Sequence, residues 1–268
     1  MPDEHAAQPL RASVLTTFPE LFAPEPPAPL AVSIPGRART AGLLDVHAIN
    51  LRDFADNKHA KTDDRPFGGG PGMVMSCQPI ADACAHAEAQ SDSPATRVYF
   101  TPQGAPFTQS VARDLAQREH LVILCGHYEG VDERVIEHLQ PLELSLGDYI
   151  LSSGELAAIV ALDAIARLLP GALGHNASAE QDSFTGLPTH DPDGNELPPK
   201  LVAKWAAELG LPEHARLLDC PHYTRPREWN GMAVPEELFS GDHLGVARWR
   251  LEQQAARTRA RRPDLLDP

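Results

Sequence analysis

The 268-residue chain has only four cysteines, Cys77, Cys84, Cys125 and Cys220, and no CxxC pair. That excludes a zinc knuckle and a disulfide framework, and the four read as reduced, mostly buried thiols. A basic start followed by an apolar run is also missing. The opening MPDEHAAQPL is acidic and polar, so no secretory signal is expected. The longest apolar stretch, 156–166, contains Asp163 and is too short to cross a bilayer. The expectation is therefore a soluble, cytoplasmic protein with no membrane partner. Lysine is absent from 216–263, where nine arginines stand against six acids in a chain of net charge −14. The overall charge argues against nonspecific nucleic-acid binding by the whole surface. The local arginine excess suits bidentate phosphate contacts, although a charged helix surface has the same composition.

What is present is enough apolar residue, 42%, for a full core and one or two domains. Short β-branched or apolar runs read as strands at 13–17, 44–49, 97–100 and 121–124. Helical segments lie at 78–89, at 109–117 behind Thr108 as N-cap, and at 156–169, ended by Pro170-Gly171. Strands alternating with helices indicate an α/β domain with a largely parallel sheet. Residues 185–199, TGLPTHDPDGNELPP, form a proline-rich acidic linker expected to bury too little apolar surface to order itself. Leu201, Val202, Trp205 and Leu209 then recur at helical spacing before Gly210, a face expected to dock on the protein, and a basic helix is expected over 242–260.

Three glycine-bearing loops each begin where a strand should end. They are Tyr99-Phe100-Thr101-Pro102-Gln103-Gly104, Cys125-Gly126-His127-Tyr128-Glu129-Gly130, and Ser145-Leu146-Gly147-Asp148-Tyr149-Ile150-Leu151-Ser152-Ser153-Gly154. Ligands of open α/β sheets bind at the carboxyl ends of strands, so the three loops could line one pocket. A fourth segment, DDRPFGGGPGM at 63–73, is neither a Walker loop nor a GxGxxG turn; it suits close approach of a ligand to the backbone or a tight structural turn.

With DSF at 182–184 and LLDCPHYTRP at 217–226, these segments stand in an order that resembles the tRNA (guanine-N1-)-methyltransferase (TrmD) family of SPOUT methyltransferases, from about residue 13 to 266. The resemblance implies an α/β fold with a SPOUT-type parallel sheet and a deep trefoil knot, plus a small, mainly helical C-terminal domain. It divides the chain into an N-terminal extension (1–12), an S-adenosylmethionine-binding SPOUT domain (13–173), an interdomain linker carrying the catalytic aspartate and an expanded insert (174–216), and a tRNA-binding domain (217–268). It implies a homodimer with shared active sites, tRNA as partner, S-adenosylmethionine as methyl donor, and a magnesium dependence for which no ligand spacing is visible.

Carried over by position, the resemblance assigns the donor to Tyr99, Phe100, Thr101, Pro102, Gly126, Tyr128, Glu129, Gly130, Leu146, Gly147, Asp148, Tyr149, Ile150, Leu151, Ser153 and Gly154. Substrate tRNA falls to Arg65, Gly69, Gly70, His222, Tyr223 and Arg225. Asp182 matches the family's general base and Arg167 its catalytic arginine. The chemistry suits them: guanine N1 becomes nucleophilic as its proton leaves, and the charge that spreads to O6 needs a planar cationic donor. Without the resemblance, Asp182 reads as a helix cap or solvated linker acid, Tyr128 and Tyr149 as packing residues, and His222, Tyr223 and Arg225 as domain-docking residues. Ser153 and Ala157 depart from the family pattern, which favours glycine and proline there, and 185–216 is an expansion. The alternatives are another SPOUT-type RNA methyltransferase, such as a ribose 2′-hydroxyl methylase, or a catalytically inactive RNA-binding relative.

Overall fold

The structure, a computed structural model, describes residues 8–173 and 182–267. The chain divides into two compact units, Met1–Gly174 and His175–Pro268. In chain order the first unit runs β1 (Leu10–Thr16), α1 (Ser33–Thr40), β2 (Leu44–Asn50), the short strands β3 (Asp63–Asp64) and β4 (Val74–Met75), α2 (Cys77–Glu88), β5 (Ala95–Pro106), α3 (Gln109–Ala116), β6 (His120–Leu124), α4 (Glu133–Leu139), β7 (Leu142–Ser145) and α5 (Gly154–Ala166). Five of these strands form one sheet in the order β2-β1-β6-β5-β7, with every pairing parallel.

Alternation along the strands explains the layers. In β6, where every residue is buried, Leu121 and Ile123 join the cluster that packs α1, α3 and α5, whereas Val122 and Leu124 join the cluster that packs α2 and α4. A strand with period-two side chains and both faces covered must read as a continuous apolar run, and HLVIL does. The strands expected from sequence are all present with shifted ends, as is the helix capped by Thr108, whose side chain accepts from the Val111 N–H. The helix expected at 156–169 starts earlier, at Gly154, and ends at Ala166.

In the first unit the helices α1 and α4 and the short strands β3, β4 and β7 have no counterpart in the sequence reading. β7, LELS, has no β-branched or aromatic residue to mark it as a strand. Helix α1 contains Pro35 and Gly36, which read as breakers; the glycine is needed because an added Cβ would lie 2.5 Å from the Ala31 carbonyl oxygen. Helix α4 went unread although its signals are present: Asp132 caps it by accepting from the Arg134 N–H, and Val135, Ile136 and Leu139 form its buried face.

The second unit has α6 (Pro199–Glu208), the two-stranded β8 (Glu228–Trp229) and β9 (Met232–Ala233), and α7 (His243–Arg261). Its core joins Leu197, Val202, Trp205, Ala206 and Leu211 to Ala247, Leu251 and Ala255 of α7. Residues 185–199 differ from the expectation of too little buried surface. Leu187 packs against this core, Leu197 belongs to it, and Asp191 fixes the turn by accepting from the Asp193 and Asn195 backbone N–H groups. The insert closes at its base, where Phe184 and Leu217, and Leu217 and Thr185, are joined by backbone hydrogen bonds of 2.7 and 2.8 Å. Trp205 is buried, so the apolar face read from sequence is covered. Among the described residues no helix is long and apolar enough to cross a membrane.

Candidate functional site

Because β6, β5 and β7 are adjacent and parallel, the segments that leave their carboxyl ends meet at one edge of the sheet. They enclose a cleft of about 610 Å³, within the range of small-molecule sites. The loops at 99–102, 126–130 and 146–154 all contribute to its walls. Every residue that the resemblance assigned to the donor lines it except Asp148, which is exposed.

Each wall has a local cause. Phe100 and Ala105 of β5 both pair with Leu144 of β7, so the residues between them bulge out of the ladder, and Thr101, Pro102 and Gln103 are thereby turned into the cleft. The second and third loops are fastened to each other by a Gly154 N–H to Gly126 carbonyl bond of 2.9 Å and an antiparallel bridge between His127 and Ser153. At Gly154 a Cβ would fall 2.6 Å from the Gly126 nitrogen, so the backbones approach too closely for any side chain. Ser153 has φ −162°, extended backbone that any residue adopts, which is why serine is accommodated beside the obligatory glycine. Ala157 is buried and lines the cleft at the next turn of α5.

Sequence reasoning missed the group beneath these loops. Glu155, fully buried in the first turn of α5, accepts a 2.6 Å hydrogen bond from the Thr16 hydroxyl at the end of β1. His127 Nε2 lies 2.8 Å from its carboxylate. An acid at a helix start ordinarily complements the helix dipole, so nothing in the sequence marked this one as interior. Burial pushes its pKa up, but the hydrogen bonds from His127 and Thr16 outweigh it and hold the group below the usual carboxylate range. Cys125, wholly buried, has its thiol pushed well up by burial and then by Glu155, so it is no nucleophile.

The other assigned residues fall in three places. Arg65, Gly69 and Gly70 lie on the loop joining β3 to β4, whose neighbour Phe67 is almost fully exposed. Arg167 caps the C-terminal end of α5 in the first unit. Asp182 belongs to the second unit, where its carbonyl accepts from the Thr185 hydroxyl at 2.7 Å. Also in that unit, His222 Nε2 is 2.7 Å from the Asp219 carboxylate, the Tyr223 ring lies 6.4 Å from that of Trp249, and Arg225 is exposed. Asp219, Cys220 and His222 are the one group among the described residues with three donors close enough for a metal ion. Asp219 is already engaged by the His222 ring and by the Cys220 N–H, and burial pushes the Cys220 thiol up, so the donor set is poorly suited to a cation.

The family model described as tRNA (Guanine-1)-methyltransferase TrmD matches residues 10–198 and 206–268. A tRNA (guanine-N(1)-)-methyltransferase of Neisseria meningitidis serogroup C (strain 053442) is 45% identical over 253 residues, 94% of this chain and 88% of the relative. One from Desulforamulus reducens is 45% identical over 258 residues, 96% of this chain and 89% of the relative. One from Ruminiclostridium cellulolyticum is 43% identical over 260 residues, 96% of this chain and 97% of the relative.

Proposed function

The chain belongs to the tRNA (Guanine-1)-methyltransferase TrmD family, and from that premise we propose that it methylates N1 of the guanosine immediately 3′ of the anticodon in tRNA, with S-adenosylmethionine as methyl donor. The observation that carries the reading is the convergence of the β5, β6 and β7 loops on a single cleft. The cleft fits the donor: its volume suits a nucleoside-sized ligand, it has aromatic and apolar walls at Tyr99, Phe100 and Leu146, and Thr101, Glu129 and Ser153 are among the polar residues that line it.

S-adenosylmethionine, when bound, supplies an electrophilic methyl group on a sulfonium. The residues of this chain do the rest. Loops 99–102, 126–130 and 146–154 orient the donor, and orientation of nitrogen, carbon and sulfur in line supplies much of the acceleration. Asp182 accepts the proton that leaves guanine N1, and the Arg167 guanidinium stabilises the charge that develops on O6. Arg65, Gly69 and Gly70, with His222, Tyr223 and Arg225, contact the tRNA: phosphate through the arginines, unpaired bases through the aromatic rings. Residues 13–173 act as the donor domain and 217–268 as the tRNA-binding domain, joined by 174–216.

The reading extends to a trefoil knot at the donor site, a cytoplasmic location, a magnesium dependence and a homodimer with shared sites. Leu156 and Val160, one turn apart on α5, and Ile150 are exposed apolar side chains, which supports self-association through this face.

The assignment of roles is tested with Asp182→Ala and Arg167→Ala. Each should lower methyl transfer roughly 10²–10⁴-fold, while calorimetry shows donor affinity little changed, because both act on the guanine. Near-full turnover in either variant removes that residue's role.

A further inference from the structure

Among the described residues only two carboxylates are buried, Asp191 and Glu155. Asp191 is accounted for by its turn. Glu155 has no such local excuse: it is a charge in the interior of the donor unit, and an interior charge persists only where its partners hold it.

Its partners come from separate elements. Thr16 ends β1, His127 follows β6, and Glu155 itself begins α5 after the loop from β7. The bonds form a relay. The Phe18 N–H donates to the Thr16 hydroxyl at 2.9 Å, that hydroxyl donates to Glu155, and the imidazole of His127 meets the same carboxylate. The His127 ring lies 5.3 Å from that of Phe18 and 5.9 Å from that of Tyr128, tilted to both.

The residue after His127 is the unusual one. Tyr128 has φ +58°, left-handed backbone that an aromatic residue rarely adopts, and it forms part of the cleft wall. Such a conformation persists only when its surroundings over-determine it. On one side the loop is held by the Glu129 N–H to the Met73 carbonyl and by the Met75 N–H to the Gly130 carbonyl. On the other side the buried anchor is His127 on Glu155.

We propose that Glu155 is a positioning residue for the methyl donor: through His127 it keeps Tyr128 in the left-handed region, so that the 126–130 wall is formed before the donor arrives. The role rests on the donor reading of the cleft. Glu155 touches no substrate; it lowers the cost of ordering the wall on binding.

The test measures S-adenosylmethionine affinity by calorimetry on the full-length protein, for the wild type, Glu155→Gln, His127→Gln and the double variant, with circular dichroism and tRNA binding as controls. The expected result is a loss of donor affinity of about tenfold in each single variant, no further loss in the double variant, and tRNA affinity unchanged. The Glu155→Gln loss should also shrink to about threefold or less in a Tyr128→Gly background, because glycine adopts a positive φ without being held there. A purely structural role would leave the loss equal in both backgrounds. If Glu155→Gln does not fold, His127→Gln, at the cleft end of the pair, is measured in both backgrounds instead. Equal donor affinity in wild type and variants, or an equal loss with tyrosine and glycine at 128, overturns the proposal. A wild type that does not bind S-adenosylmethionine overturns instead the donor reading on which it rests.

Discussion

The two units of the chain reach order by different routes. In the first, a parallel sheet whose central strand is buried on both faces fixes the backbone, and the cleft is made largely of loops at strand ends, two of which cross too closely at Gly154 for any side chain there. In the second, one small core gathers around α6 and α7, and much of it, including Leu197, Val202, Trp205 and Leu211, comes from the 185–216 insert. A site made by backbone on a sheet should be sensitive to added volume. A unit made by a few side chains should be sensitive to volume removed.

The sharpest contrast, and the largest expected effect, comes from Trp205→Ala. Removing a buried tryptophan from so small a core should cost about 3–5 kcal/mol, seen in urea denaturation as early unfolding of the second unit with loss of tRNA binding. Donor binding by the first unit should remain. Loss of both together would break the comparison.

Gly154→Ala probes the other side. The added methyl meets the Gly126 nitrogen and Cys125 backbone, neither of which can swing away. Overpacking of this kind costs about 1–3 kcal/mol, which should be read as weaker donor binding by calorimetry with the tRNA affinity of the second unit intact. Unchanged donor affinity would mean that the crossing of the two loops is not tight in solution.

The smallest effect is expected at Arg248 on α7. It meets Glu252 at 3.0 Å and Glu208 of α6 at 3.2 Å, and all three side chains are partly exposed. Arg248→Ala should change stability by about 0–1 kcal/mol, the usual worth of surface ion pairs. A loss as large as that of Trp205→Ala would show that charge, and not apolar burial, holds α6 to α7.

This contrast also explains what the sequence revealed. The apolar run at 121–124 and the glycines after it identified both the central strand and the cleft, because burial on two faces and close backbone approach each demand particular residue types. Trp205 and its neighbours were legible for a similar reason, since helical spacing marks a covered face. The order in 185–199 was not. Its turn depends on Asp191 and its anchor on Leu197, single residues within an otherwise polar, proline-rich stretch. Glu155 was hidden as well, because an acid at a helix start looks the same whether it faces water or Thr16 and His127. Asp182 and Arg167 could be named only through family resemblance: spacing alone does not distinguish a general base from a linker acid.

In the proposed function the cleft, Asp182 and Arg167 together serve methyl transfer to guanine N1. That function is tested most directly by incubating purified protein with unmodified tRNA and S-adenosylmethionine, digesting the RNA, and identifying the product nucleoside by mass spectrometry. The expected product is N1-methylguanosine from the position 3′ of the anticodon, absent when that guanosine is replaced. A 2′-O-methylated nucleoside, a methyl group on another base, or no methylation at all would contradict it.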